Sequence, residues 1–266
     1  MIRVNRYADE YWDGMQSTSL NTLNKNFEWV NDGTGDIDMF VDFQMFYMDI
    51  YPRSRPRYVW LLESKSVAHE SFEMVAHDSD QLLEKCDGIF TCDEELAKRP
   101  GVTYSMTNAV PWILDFSDHE KTKLVSMISS TKNFTPGHEL RLQYVEKFRD
   151  KVDLFGRGHK DLDRKEDGLQ PYMFSIAIEN ADYPCYFTEK ITDCFATKTV
   201  PIFYGTDSIS KYFDTDGVIF LDENFRVEDL SEDLYYSMTD SIETNHKLSQ
   251  NMTTADDYVA EIIESL

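Results

Sequence analysis

The sequence predicts an α/β protein of two domains with a cleft between them, on three observations. Short apolar runs rich in strand formers, such as Tyr58–Leu62 and Ile89–Cys92, alternate with segments of helical spacing. The same rhythm starts afresh after a polar, turn-rich stretch at Asp115–Lys121. A length of 266 residues, with 41% apolar and 14% aromatic side chains, suits two compact domains better than one small one. The expected division is 1–118 and 119–266, with the last helix a candidate to pack back on the first domain.

In chain order, the opening reads as loosely organised and aromatic-rich, followed by the Gly- and Asp-punctuated loop NDGTGDIDMF and a strand near Met39–Phe43. Pro52 and Pro56 set a turn among Arg53, Arg55 and Arg57, and the strand Tyr58–Leu62 then ends at Glu63-Ser64. Phe72, Val75, Ala76, Leu82 and Leu83 give helical spacing from His69 to about Lys85, broken by Asp87-Gly88 before the strand Ile89–Cys92. DEELAKRPG makes one or two helical turns, and VTYSMTNAVPW runs extended.

The second set opens with the strand Leu124–Ser129 and a helix from about Gly137 to Lys151. The strand VDLFG, the turn-rich Gly156–Gln170 and the strand YMFSIAIEN follow. A helix then starts at Thr188, VPIFYG returns as a strand, and the tail carries GVIFLDE and two acidic helices.

With 26 basic against 49 acidic side chains the formal charge is -23, which repels polyphosphate at long range and makes nucleic acid a poor partner. A nucleotide site on such a chain must gather its cations locally. Cys86, Cys92, Cys185 and Cys194 form no metal-binding pattern with each other or with histidine, and no metal site is expected. The start of the chain lacks a signal-peptide pattern and no apolar run is long enough for a membrane span, so the expected location is the cytoplasm.

The segment Pro171–Gly205 concentrates the chemistry. Ligands of open parallel sheets bind beyond the carboxyl ends of strands, which here places Glu179-Asn180 at a site. Thr188 is a good N-cap, so the free amides of the next helix point into the same region, and Lys190 in its first turn suits a diphosphate. Glu189 can accept hydrogen bonds from sugar hydroxyls. Taken singly, Glu189 also reads as a complement to the helix dipole and Lys190 as a solvated cation.

As an ensemble, PYMFSIAIENADYPCYFTEKITDCFATKTVPIFYG resembles the signature of the α1,3-fucosyltransferases, in which an F-E-N-S tract, a Y-[VI]-T-E-K tract and a V-P-[IV]-x-x-G tract occur in this order. VDLFGRG and LRLQYVEKF are similar to two further tracts of that family, and the likeness extends over about Val125 to Asp222. The resemblance implies a GT-B enzyme, with two Rossmann-like domains facing across a cleft, that transfers fucose from GDP-fucose to a glycan hydroxyl with inversion, with no cofactor and no metal required for the chemistry. It further implies that Arg141 and Lys190 hold the diphosphate, that Glu189 bonds donor hydroxyls, and that Asn180 and Tyr186 belong to the donor site. Arg157 and Gly205 are further candidates. Ala181, Ile178 and Phe187 depart from the family pattern and alter the fine shape of the donor pocket.

Inversion calls for a base, and a carboxylate is the usual choice. Glu63, in WLLES, is similar to the family's W-x-x-x-E-S-P glutamate, with Lys65 in place of the proline. The competing reading is a surface carboxylate after a strand. His69 and His77 are read as solvated helix residues, the three arginines as a solvated turn, Trp60 and Trp112 as core, and Asp78–Asp80 as no metal site. Two other functions fit the same residues: a related transferase with a different nucleotide sugar, and a catalytically silent carbohydrate- or nucleotide-binding module.

Overall fold

The computed structural model describes residues 1–9 and 15–266, so part of the aromatic-rich opening, residues 10–14, lies outside the described residues. The chain forms two compact units, each built on an all-parallel sheet. The first comprises Met1–Ala109, Pro184–Tyr186 and Thr253–Leu266; the second comprises Val110–Tyr183 and Phe187–Met252.

The sheet of the first unit has six strands: β1 (Ile2–Tyr7), β2 (Phe27–Val30), β3 (Ile37–Val41), β4 (Arg57–Leu61), β5 (Gly88–Thr91) and β6 (Val102–Tyr104), in the order β2-β1-β3-β4-β5-β6. Side chains alternate between its faces. Phe40, Val59, Leu61 and Ile89 pack with Phe72, Val75 and Leu82 of α1 (His69–Leu83), a helix kinked at Asp78. Met39, Val41, Tyr58, Trp60 and Phe90 pack on the opposite face with Val259 and Ala260 of the last helix (Ala255–Ser265).

That helix is tied to the unit by Asp256, which accepts from Thr18 and from the Trp29 indole at 2.6 Å, and by Asp257, which accepts the amides of Lys25 and Asn26. The opening, expected to be loose, supplies β1 and β2. Its strand signal is masked by a buried polar pair: Asn5 Nδ2 donates to Asp38 at 2.7 Å across two neighbouring strands.

The second sheet joins β7 (Lys123–Ile128), β8 (Asp153–Phe155), β9 (Tyr172–Ile178), β10 (Val200–Tyr204) and β11 (Ile219–Phe220) in the order β11-β10-β9-β7-β8. Phe174, Ile176, Val200 and Ile202 form its core with Val145 and Phe148 of α2 (Pro136–Phe148). Between β9 and β10 lies α3 (Glu189–Ala196). The tail contains three helices where two were expected, α4 (Glu232–Ser237), α5 (Thr239–Gln250) and α6 (Ala255–Ser265). Thr254 caps a fresh helix by accepting the Asp257 amide, and that cap separates α5 from α6.

The chain passes into the second unit after Ala109, earlier than the expected 118/119 division. The amides of Trp112 and Ile113 both donate to Asp193 of α3, at 2.7 and 3.0 Å, and so bind this connecting segment to the second unit.

Candidate donor site and base

In the second unit the site is built at the carboxyl end of β9. Glu179 extends the strand by one residue, its amide donating to the Tyr204 carbonyl at 2.9 Å, and its side chain is wholly buried. One carboxylate oxygen accepts the Thr188 amide at 2.7 Å; the other accepts Lys190 Nζ at 2.9 Å. The Thr188 hydroxyl donates to the same carboxylate and accepts from Lys190 Nζ at 2.9 Å, while capping α3. Lys190 is therefore locked at the helix start. Burial works against its ammonium, but Glu179 and Glu189 outweigh that and hold its pKa above the usual lysine value.

Glu189 has the opposite balance: burial opposes its carboxylate, and Lys190 and Lys165 together keep it ionised, below the usual range. Lys165 reaches Asp193 at 2.5 Å and Glu189 at 3.4 Å and lies over the Trp112 ring, 4.8 Å from its centroid. Arg141 comes from α2, is 7% exposed, and donates to Ser130 Oγ at 3.2 Å, leaving its Nε without a partner. A buried guanidinium nitrogen with no acceptor is expensive unless a ligand supplies one.

Arg141, Lys165, Glu189 and Lys190 line one cavity of about 120 Å³, whose apolar wall includes Ile128, Leu169 and Ile178. Three cations and one acid around a small apolar pocket can bind a diphosphate and orient the hydroxyls of an attached sugar.

The other sequence candidates fall as follows. Thr188 and Glu179 brace the helix start, and Gly205 adjoins them: a Cβ there would lie 3.1 Å from Glu179 Cγ. Asn180 is half-buried beside Glu179, its side-chain oxygen without a partner. Tyr186 is buried, within the Pro184–Tyr186 segment that belongs to the first unit. Arg157 is exposed in a turn between Gly156 and Gly158, both at positive φ, and does not line the cavity.

Lys165 and Asp193 were not singled out from the sequence. Lys165 lies in a polar stretch with no periodicity, whereas Asp193 carried a readable signal, since it follows Glu189 by one helical turn.

In the first unit Glu63 is half-buried directly after β4, and its amide donates to Asp42. Lys65, in the proline's place, pairs with Asp93. His69 and His77 are exposed on α1, and Trp60 is core, as expected. The arginine cluster is not the solvated turn expected of it. Arg57 is 3% exposed and donates to the carbonyls of Met48 and Tyr51, while Arg53 pairs with Asp87 at 2.8 Å. Among the described residues no group of acids, histidines and cysteines is arranged to hold a metal ion, and no helix is long and apolar enough to cross a membrane.

Residues 118–246 match the sequence model of glycosyltransferase family 10 (fucosyltransferase), C-terminal part. The second unit belongs to that family. The family 10 match covers β7 to most of α5 and thus the whole cavity just described.

Among curated relatives, 4-galactosyl-N-acetylglucosaminide 3-alpha-L-fucosyltransferase FUT6 of Pongo pygmaeus is 31% identical over 42% of this chain and 32% of its own. The corresponding FUT5 enzyme of Homo sapiens is 26% identical over 68% of this chain and 48% of its own. The chain thus spans from just under a third to just under a half of the length of these relatives. A crystal structure of an alpha1,3-fucosyltransferase matches with a TM-score of 0.53 at 14% identity, covering 99% of this chain and 88% of that one. The same enzyme class with GDP gives 0.53, covering 96% and 92%. These matches carry the GT-B fold over both units.

Proposed function

We propose that this chain transfers fucose from GDP-fucose to a hydroxyl of an acceptor glycan, with inversion, in the manner of an α1,3-fucosyltransferase. The observation that carries the reading is the buried Glu179–Thr188–Lys190 lock, which fixes a cation at the start of α3 beside Arg141, Lys165 and Glu189. The match to family 10 and the likeness of the curated fucosyltransferases support fucose as the sugar.

In this reading the diphosphate lies against Arg141, Lys190 and the amides at the start of α3, and Glu189 accepts from the sugar hydroxyls. The acceptor oxygen attacks the anomeric carbon as the bond from that carbon to the diphosphate breaks. The bonding pair departs on GDP, whose growing charge the two cations stabilise, and the acceptor's proton passes to Glu63. The mechanism calls on no bound metal, because Arg141 and Lys190 supply the positive charge a metal would otherwise bring to the leaving group. The cytoplasm, where the four buried thiols would stay reduced, remains part of the proposal.

Two folded variants test it. Glu63→Gln is expected to lower kcat by about 10² to 10⁴, the usual share of a general base, with GDP affinity unchanged. Arg141→Ala is expected to weaken GDP binding by about 30-fold or more, the scale of a lost charged hydrogen-bond donor. Full transfer by Glu63→Gln, or wild-type GDP affinity in Arg141→Ala, would refute the assigned roles. Titration with GDP-fucose and with UDP-sugars settles the donor, and donor binding without transfer to any acceptor would point to a silent module.

A further inference from the structure

Asp42 occupies a position that no family tract points to. It follows the last residue of β3, and β3 pairs in parallel with β4, Val41 opposite Trp60, so Asp42 and Glu63 stand at the carboxyl ends of adjacent strands. The sequence places Asp42 inside a strand near Met39–Phe43, but the strand stops at Val41 and Asp42 turns into the left-handed region at φ 47. For a residue with a Cβ that conformation costs on the order of 1–2 kcal/mol. The side chain is 4% exposed, and its carboxylate accepts the amide of Leu62 at 2.9 Å and the amide of Glu63 at 3.2 and 3.3 Å. The backbone from which Glu63 projects is therefore held by a strained, buried acid one strand away.

A carboxylate is not needed merely to receive two amides, since an asparagine oxygen would serve and tolerates φ near 50° better. Among the described residues, the charged groups acting on Asp42 include Glu63, just past the end of β4, and Asp9, beyond β1. Burial, and then the charge of Glu63, push the Asp42 carboxyl well above the ordinary range, with the two amides opposing.

We propose that Asp42 is a positioning residue for Glu63, fixing the backbone from which the base projects. The inference rests on Glu63 being the base of the proposed transfer.

The test compares the wild type with Asp42→Asn, Asp42→Gly and Glu63→Gln, measuring kcat and KM across pH together with GDP affinity. Asp42→Asn keeps an acceptor for the two amides but cannot ionise. It is expected to hold kcat within about 3-fold, since the hold on the backbone of Glu63 is kept. Asp42→Gly relieves the backbone strain and deletes the acceptor. It is expected to lower kcat by roughly 10- to 100-fold with donor KM unchanged, as for a misplaced reacting group. Unchanged GDP affinity shows that the second unit is intact. Wild-type kcat in Asp42→Gly, or a loss of kcat in Asp42→Asn as large as in Asp42→Gly, overturns the inference even if Glu63→Gln is inactive. Full activity in Glu63→Gln overturns the base assignment and this inference with it.

Discussion

Lys121 shows how much a single half-buried side chain can shape the pH response of the second unit. Its ammonium donates to the carbonyls of Gln170 and Thr197 at 2.9 and 2.7 Å and to Thr199 Oγ1 at 2.9 Å, three acceptors that carry no charge. Burial therefore dominates and pushes its pKa down from 10.5 to about 7. Between those values the unfolded chain binds the proton that the folded one has released, so stability rises with pH through the window and is flat in this respect below it. Lys121→Met should remove that rise. A urea midpoint that climbs equally in both proteins from pH 7 upward would show that Lys121 stays charged in the fold.

Residues of this kind escape a reading of the sequence because their environment is assembled from distant segments. Arg141, Glu189 and Lys190 were legible, each standing in a tract with its own spacing. Lys165, Asp42 and Lys121 were not, since an isolated polar residue in an irregular stretch looks the same whether it ends up solvated or buried against a partner.

At the scale of elements, the close approach of α2 to the end of β9 sets the distance between Arg141 and the Glu179–Lys190 lock. Gly137, in the first turn of α2, makes that approach possible: a Cβ there would fall 2.4 Å from the carbonyl oxygens of both Glu179 and Asn180. Gly137→Ala must push α2 off the strand end, carrying Arg141 with it. The expected result is GDP affinity lowered by about 10-fold or more, corresponding to the usual 1–3 kcal/mol of an overpacked contact, although residue 137 need not touch the nucleotide. Calorimetric titration checks this, and wild-type affinity would mean that the helix start yields without moving Arg141. Elements whose apolar residues repeat cleanly, such as β4, β5, β7, β9, β10 and α1, could be read directly from the sequence, as could the Thr188 cap. β1 could not, because Asn5 and Arg3 interrupt its apolar pattern and find their partners in Asp38, Gly35, Glu28 and Thr34 from elsewhere. Nor could the separation of α5 from α6, which depends on a local cap in an otherwise uniformly acidic tail.

For the whole molecule, the formal charge of -23 and the cationic cavity act on an anionic nucleotide in opposite directions and over different ranges. The net charge acts at long range through solvent, where salt screens it: the Debye length falls from about 30 Å at 0.01 M to about 8 Å at 0.15 M ionic strength. The contacts of Arg141 and Lys190 act at hydrogen-bond distance from half-buried or buried positions and are screened much less. Raising salt across that range should therefore speed the association of GDP by weakening the repulsion it meets on approach, the reverse of the behaviour of an electrostatically steered ligand. The dissociation rate should change less than the association rate. Stopped-flow measurement at several ionic strengths gives both. An association rate that falls with added salt would mean that the local field of the three cations extends into solvent and dominates the approach, despite an acidic exterior.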